Sequence, residues 1–136
     1  LLTYAEAANE YFKDPTATDS ELTMSALDAL NQVRVNAQMP LSTANDYDSF
    51  VEAVRREWRV EFAFEDHRFW DVRRWNIGAT TQNQVDGVSI VKTDKGLDYT
   101  RTMVEKRTWA DRMNLYPIPK SELFSNPNLN PQNTGW

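Results

Sequence analysis

Arg56-Glu57-Trp58-Arg59-Val60-Glu61-Phe62-Ala63-Phe64-Glu65-Asp66-His67-Arg68-Phe69-Trp70-Asp71-Val72-Arg73-Arg74-Trp75 is the stretch on which the reading of this chain turns. Taken with the residues before it, it sets Phe50, Val51, Val54, Trp58 and Phe62 at helical spacing, which predicts a helix from about Asp46 to Phe64 with that face buried. Glu65-Asp66-His67 breaks the rhythm. A short helix over about Arg68 to Trp75 follows, carrying Phe69, Trp70, Val72 and Trp75. It is apolar nearly all round, a pattern that predicts burial.

Working toward the N-terminus, Leu41 to Asn45 read as a linker. Before it lie two further helical stripes. Leu1, Tyr4, Ala5, Ala8, Tyr11 and Phe12 form the first, and the helix stops before Pro15, which lacks an amide donor. The second starts near Thr18, where Thr18-Asp19-Ser20-Glu21 has the capping-box form, and closes at Pro40. Its apolar stripe is Leu22, Ala26, Ala29, Leu30, Val33 and Ala37. Two helices joined by a short polar turn predict an antiparallel hairpin over residues 1–40, with alanines allowing close approach.

Toward the C-terminus the texture changes after Asn76-Ile77-Gly78. Residues 76–136 read as loop, short strands and tail. Val88 to Val91 and Leu97 to Val104 have strand character, with Gly87 and Gly96 as turn markers, so either a small hairpin or a long ordered loop is expected. Tyr116-Pro117-Ile118-Pro119 is extended, and Pro119 to Leu123 suits one helical turn with proline leading. Asn126 to Trp136 is irregular, and its final ring predicts a tail pinned across the domain.

The 136 residues include 16 aromatics and no cysteine. The apolar content supports a packed core and argues against wholesale disorder. Disulfides, thiolate metal sites and cysteine nucleophiles are excluded within this stretch. No run of 18 apolar residues occurs. Residues 1–50 hold eight acids and two bases (−6), residues 51–75 six of each, and residues 76–136 six acids and seven bases (+1), which sum to the net −5. The arginines from Arg55 to Arg74 are matched by Glu52, Glu57, Glu61, Glu65, Asp66 and Asp71, so internal ion pairs are expected rather than a phosphate-binding surface, and no nucleic-acid partner.

Candidate chemistry is sparse. Glu57, Glu61 and Glu65 are four apart, but no Glu-x-x-His accompanies them, so no metal is expected. A structural network of Glu61, Arg68, Asp71 and Arg74 tying the two helices together fits better, since buried charges must be paired. His67 is the one histidine and lacks catalytic company. Glycines at 78, 87, 96 and 135 are too scattered for a phosphate loop, no cofactor is implied, and no acid/base pair marks a hydrolase. Tyr99 and Trp109, with Asp98, Arg101 and Asp111 as hydrogen-bonding neighbours, are the candidates for stacking on a sugar ring. The plainer alternative packs both rings against the fourth helix.

The stretch from Arg56 to Trp75 resembles the signature of SusD/RagB outer-membrane nutrient-binding lipoproteins, in general form R-R-I-E-L-A-F-E-G-H-R-F-F-D-L-R-R-W. Tyr116-Pro117-Ile118-Pro119, Asn126-Pro127-Asn128-Leu129 and Gly135-Trp136 resemble that family's C-terminal motif, and Leu1 to Ala8 its L-x-Y-A-E-A helix. Trp58 stands in place of arginine, Asp66 in place of glycine and Thr134 in place of proline, and Asn130-Pro131 lengthens the tail spacing by one. The resemblance implies a mainly α fold: a tetratricopeptide-like hairpin, two packed helices, a loop or small β-hairpin, and an irregular tail. It implies the C-terminal part of a non-enzymatic protein on the outer face of the outer membrane. Such a protein is held by a lipid anchor upstream and hands oligo- or polysaccharide, or peptide, to a SusC-like TonB-dependent transporter. The rival expectation is a helical-repeat module for protein partners, with a groove on the 1–38 hairpin and no glycan affinity.

Overall fold

The computed structural model describes residues 1–81 and 83–136. Its backbone falls into two compact units, Leu1–Arg68 and Phe69–Trp136. The first holds α1 (Leu2–Phe12), α2 (Ala26–Asn36) and α3 (Tyr47–Glu61). Helix α4 (His67–Arg74) runs across the division. The second unit continues with α5 (Gly78–Thr81), β1 (Gln84–Thr93), β2 (Gly96–Lys106) and α6 (Lys120–Ser125), with short 3-10 turns at Asp111–Asn114 and Pro127–Leu129.

In the first unit α1 packs on both α2 and α3. The seam is built on small residues: Ala5, Ala8, Ala26 and Ala29 are buried and bring the backbones close, while Leu30, Phe50 and Val54 fill the centre. Helix α1 ends with Lys13 in the left-handed region (φ 56°), its amide returning to the Asn9 carbonyl, and Pro15 follows. Helix α2 begins at Ala26 rather than near Thr18. The Asp19 carboxylate accepts from the amides of Glu21 and Leu22 at 2.8 and 2.6 Å, folding 19–22 into a side-chain-closed turn that competes with helix. The working cap is Ser25, whose hydroxyl accepts from the Asp28 amide at 3.0 Å and donates to the Asp28 carboxylate at 2.8 Å. Asp46 caps α3 by accepting from the Ser49 amide at 3.0 Å.

Between α3 and α4, Phe64 (φ 66°) and Asp66 (φ 59°) both adopt left-handed backbone. That region suits glycine and tolerates aspartate far better than a bulky residue, so Asp66 occupies a position where glycine is the ordinary solution. Trp58 stacks on Phe62 with centroids 4.6 Å apart, and His67 lies 4.5 Å from Phe62. His67 is thus packed among rings.

In the second unit, β1 and β2 form an antiparallel ribbon with a two-residue turn, Thr93 pairing with Gly96 and Gln84 with Lys106. Gly96 (φ 131°) takes a conformation that side chains disfavour at the start of the return strand. Almost every ribbon residue is exposed. Val88, Ile90, Leu97, Tyr99 and Met103 share one face, around an Arg101–Asp86 ion pair at 3.2 Å. Helix α4 departs from the expected burial: Asp71 and Val72 are buried, whereas Phe69 and Trp70 are substantially exposed. Eight residues give only about two turns, and the polar Asp71 claims much of the covered face through Arg74.

The described residues are therefore mainly α with one small two-stranded sheet, the fold class expected from the sequence.

Candidate functional site

Exposed rings in the second unit converge on Arg73. Phe69 and Trp70 meet edge to face, with centroids 5.0 Å apart and planes at 86°. Tyr116 lies 6.4 Å from each of them. The Arg73 guanidinium sits 3.5 Å over Phe69, 5.2 Å from the Trp109 ring and 6.0 Å from Tyr116. Its Nη1 donates to the Phe69 carbonyl at 2.8 Å, which fixes the fork by one turn of its own helix. Its Nε is buried with no hydrogen-bond partner among the described residues. Trp70 remains 57% exposed and Tyr116 59%. A surface of two accessible ring faces beside a fixed cation can stack the apolar face of a sugar and hydrogen-bond its hydroxyls.

The irregular tail holds this surface in place. Trp136 Nε1 donates to the carbonyls of Arg112 and Leu115, each at 3.0 Å, and the Arg112 guanidinium lies 4.9 Å from its ring. Gln132 clamps Ile118 at both backbone groups, accepting from its amide and donating to its carbonyl at 2.8 Å each. Asn133 donates to the Tyr116 carbonyl at 2.6 Å. The extended Tyr116-Pro117-Ile118-Pro119 segment has few amides to offer a sheet, so side-chain amides from the tail supply its partners.

The sequence-selected residues are distributed differently. Tyr99 and Arg101 point from the same face of β2, Tyr99 opposite Ile90 and Arg101 opposite Val88. Asp98 is on the other face, opposite Val91. Trp109 lies against α5: a Cβ added to Gly78 would fall 1.9 Å from its Cε2, so only glycine fits beneath the ring. Asp111 opens the following 3-10 turn and is exposed. Tyr99 is seven residues up the strand from Lys106, about 23 Å at 3.3 Å per residue. The ribbon pair and the pair at Trp109 and Asp111 are thus not one pocket. Of the structural ion-pair set, Arg74 Nε meets Asp71 at 2.8 Å, Arg68 is half-buried in α4, and Glu61 is exposed at the end of α3.

Three features escaped the sequence reading. Glu57 is the buried acid of α3, paired to Arg34 of α2 at 2.5 Å, and Arg34 also donates to the Pro40 carbonyl at 2.7 Å. Its signal was available: Glu57 falls on the stripe of Phe50, Val54 and Trp58. The Trp70–Tyr116 pairing brings together residues 46 positions apart with no motif to join them. Arg73 was read as one of many arginines, and nothing local distinguishes it. Among the described residues, no group of three or more His, Cys, Asp or Glu able to hold a metal occurs, and no helix is long and apolar enough to cross a membrane.

Comparison with known proteins bears on what this surface belongs to. SusD-like protein P2 of Formosa agariphila is 30% identical over 144 residues, an alignment that covers 100% of this chain and 24% of that protein. The chain thus spans about a quarter of that relative's length. No solved structure matches. The SusD family matches residues 1–136, the whole of the sequence. Its helix-rich plan and that end-to-end match make this chain a member of the SusD family.

Proposed function

We propose that the chain is the C-terminal part of a non-catalytic nutrient-capture protein at the outer face of the outer membrane. Its lipid anchor is carried elsewhere in the polypeptide, and it hands ligand to a SusC-like TonB-dependent transporter. Glycan is the ligand class this reading favours, with peptide as the alternative. The supporting observation is the SusD family match across residues 1–136, joined by the exposed Trp70 and Tyr116 rings beside Arg73. Capture by such a surface is reversible. Pyranose C–H faces stack on the rings, and hydroxyls meet the guanidinium. The groups around the rings are a cation and backbone carbonyls rather than a positioned acid and base, which favours binding over bond cleavage.

The test is affinity electrophoresis of the complete protein through gels containing starch, mannan or host glycans. Retardation on at least one glycan is expected. Trp70→Ala combined with Tyr116→Ala should weaken it about tenfold, the loss of one to two stacking contacts. The circular dichroism spectrum should stay unchanged. No retardation on any glycan, together with binding of peptides, would overturn the sugar reading.

A further inference from the structure

The Tyr116 ring is exposed, and its centroid lies 6.4 Å from those of Phe69 and Trp70 and 6.0 Å from the Arg73 guanidinium. These distances are near the far limit of ring–ring and cation–ring contact. Neither burial nor a close neighbour therefore fixes where the ring points. Its direction is inherited from the backbone, because the allowed rotamers follow φ and ψ. Those two angles relate the peptide planes on either side of the Cα, and residues 132–136 hold both planes. The plane before Tyr116 carries the Leu115 carbonyl, which accepts from Trp136 Nε1 at 3.0 Å. The plane after it carries the Tyr116 carbonyl, which accepts from Asn133 Nδ2 at 2.6 Å. The next two planes are gripped by Gln132, through the amide and the carbonyl of Ile118 at 2.8 Å each. The holders are themselves linked. Gln132 Oε1 also accepts from the Asn133 amide at 2.8 Å, and the Trp136 amide donates to the Asn133 carbonyl at 3.1 Å. Pro117 adds a further constraint by confining Tyr116 to extended backbone.

We propose that Asn133 and Trp136 are positioning residues for ligand capture: they lock both backbone angles of Tyr116 and so aim its ring before a ligand arrives. The inference rests on the reading of the ring surface as a glycan site and deepens it. A ring aimed in advance loses less freedom on binding, a gain of roughly two- to tenfold in affinity for one side chain. Neither residue touches the ligand. Each acts through Tyr116, so its contribution vanishes when that ring is removed.

The experiment runs the complete protein through gels of starch, mannan or mucin. Asn133→Asp keeps the size of the side chain but sets an acceptor against the Tyr116 carbonyl. On the glycan that retards the parent, Tyr116→Ala and Asn133→Asp should each weaken binding about threefold. The double variant should be no weaker than either alone, since both changes act on one ring. Asn130→Ala deletes a bond of the same kind, from a tail amide to the Pro127 carbonyl at 3.1 Å, and should leave retardation unchanged. A 3-fluorotyrosine at position 116 gives a signal that needs no ligand. Its fluorine resonance should move toward that of the free amino acid in Asn133→Asp and stay in place in Asn130→Ala. Asn133→Ala, which removes the donor without adding charge, takes the place of Asn133→Asp if the latter loses the parent's circular dichroism spectrum. Additive losses in the double variant, or an unmoved fluorine resonance, would overturn the proposal and leave the glycan reading standing. A parent retarded by none of the gels would overturn both.

Discussion

Residues 1–68 and residues 69–136 are held together by different physics. The helical unit buries Leu2, Ala5, Ala8, Ala26, Ala29, Leu30, Phe50, Val54 and Trp58. In the second unit the buried residues among those described are Asp71, Val72 and Gly78. It relies instead on side-chain amides clamping an extended segment, on guanidinium–ring contacts, and on a ribbon whose two strands pair only with each other. Hydrophobic burial supplies most folding free energy, and an isolated two-stranded ribbon is marginal in water. The unit with little core is also the unit whose rings stay accessible. A ring spent on core cannot stack on a ligand, so sparse burial and a capture surface go together.

The sharpest way to break that contrast is to remove a large side chain from each unit. Phe50→Ala empties a fully buried site and should cost about 3–5 kcal/mol in denaturant unfolding. Val104→Ala in the ribbon, on an exposed residue, should cost less than about 0.5 kcal/mol. Comparable losses would mean the ribbon is as tightly packed as the helices. Next in size is Glu57→Ala. It leaves the Arg34 guanidinium, mostly covered, without its carboxylate, at a cost of about 3 kcal/mol. The double variant Glu57→Leu with Arg34→Met should recover much of that loss, since removing both charges leaves none uncompensated. A double variant as unstable as the single would show that packing, not charge, carries the site.

What the sequence made legible follows the same division. Helices α1, α3 and α4 were readable because burial on one face writes a 3.6-residue period into the chain. The start of α2 was misplaced because Thr18-Asp19-Ser20-Glu21 satisfies a capping pattern that Asp19 itself defeats, by holding the amides of Glu21 and Leu22. The ribbon was legible as strand but not in length. Its polar face and its apolar face are both exposed, so alternation there reports no core. The ring surface was illegible for a further reason. Trp70 and Tyr116 are joined by tertiary placement alone, whereas Tyr99 and Trp109 drew attention by lying in a polar stretch and do not meet. Trp136 was readable as an anchor because an irregular tail has no other means of staying ordered.

Anchoring of that tail gives a smaller effect, local to the second unit. Trp136→Ala removes one indole donor shared by two carbonyls and the Arg112 contact, together about 1.5 kcal/mol. Amide exchange at Ile118, whose N–H is held by Gln132, should accelerate about tenfold while that at Leu30 stays fixed. Acceleration at both would mean the units open together.

The smallest effect belongs to the helical unit's surface. Glu10 of α1 accepts from Lys13 Nζ at 2.5 Å and from the Tyr47 hydroxyl at 2.7 Å, which links α1 to the first residue of α3. Those hydrogen bonds, Lys13 first, hold the Glu10 carboxyl below its ordinary value of 4.5, and Glu10 in turn raises Lys13 above 10.5. A depressed carboxyl stabilises the fold above its unfolded value and loses that contribution as pH falls through the folded one. A raised amine stabilises below its unfolded value and loses its share as pH rises past the folded one. The link is therefore complete between about pH 4.5 and 10.5 and fades on either side. Both side chains are more than half exposed, so solvent screens the pair and the effect is slight. Glu10→Gln should lower the melting temperature a little at pH 7 and converge with the parent chain as pH falls through the lowered Glu10 value, in a range where other depressed carboxyls such as Asp14 and Asp46 titrate equally in both proteins. A gap that persists undiminished in acid, where Glu10 is protonated, would show that the Glu10 side chain acts by shape rather than charge.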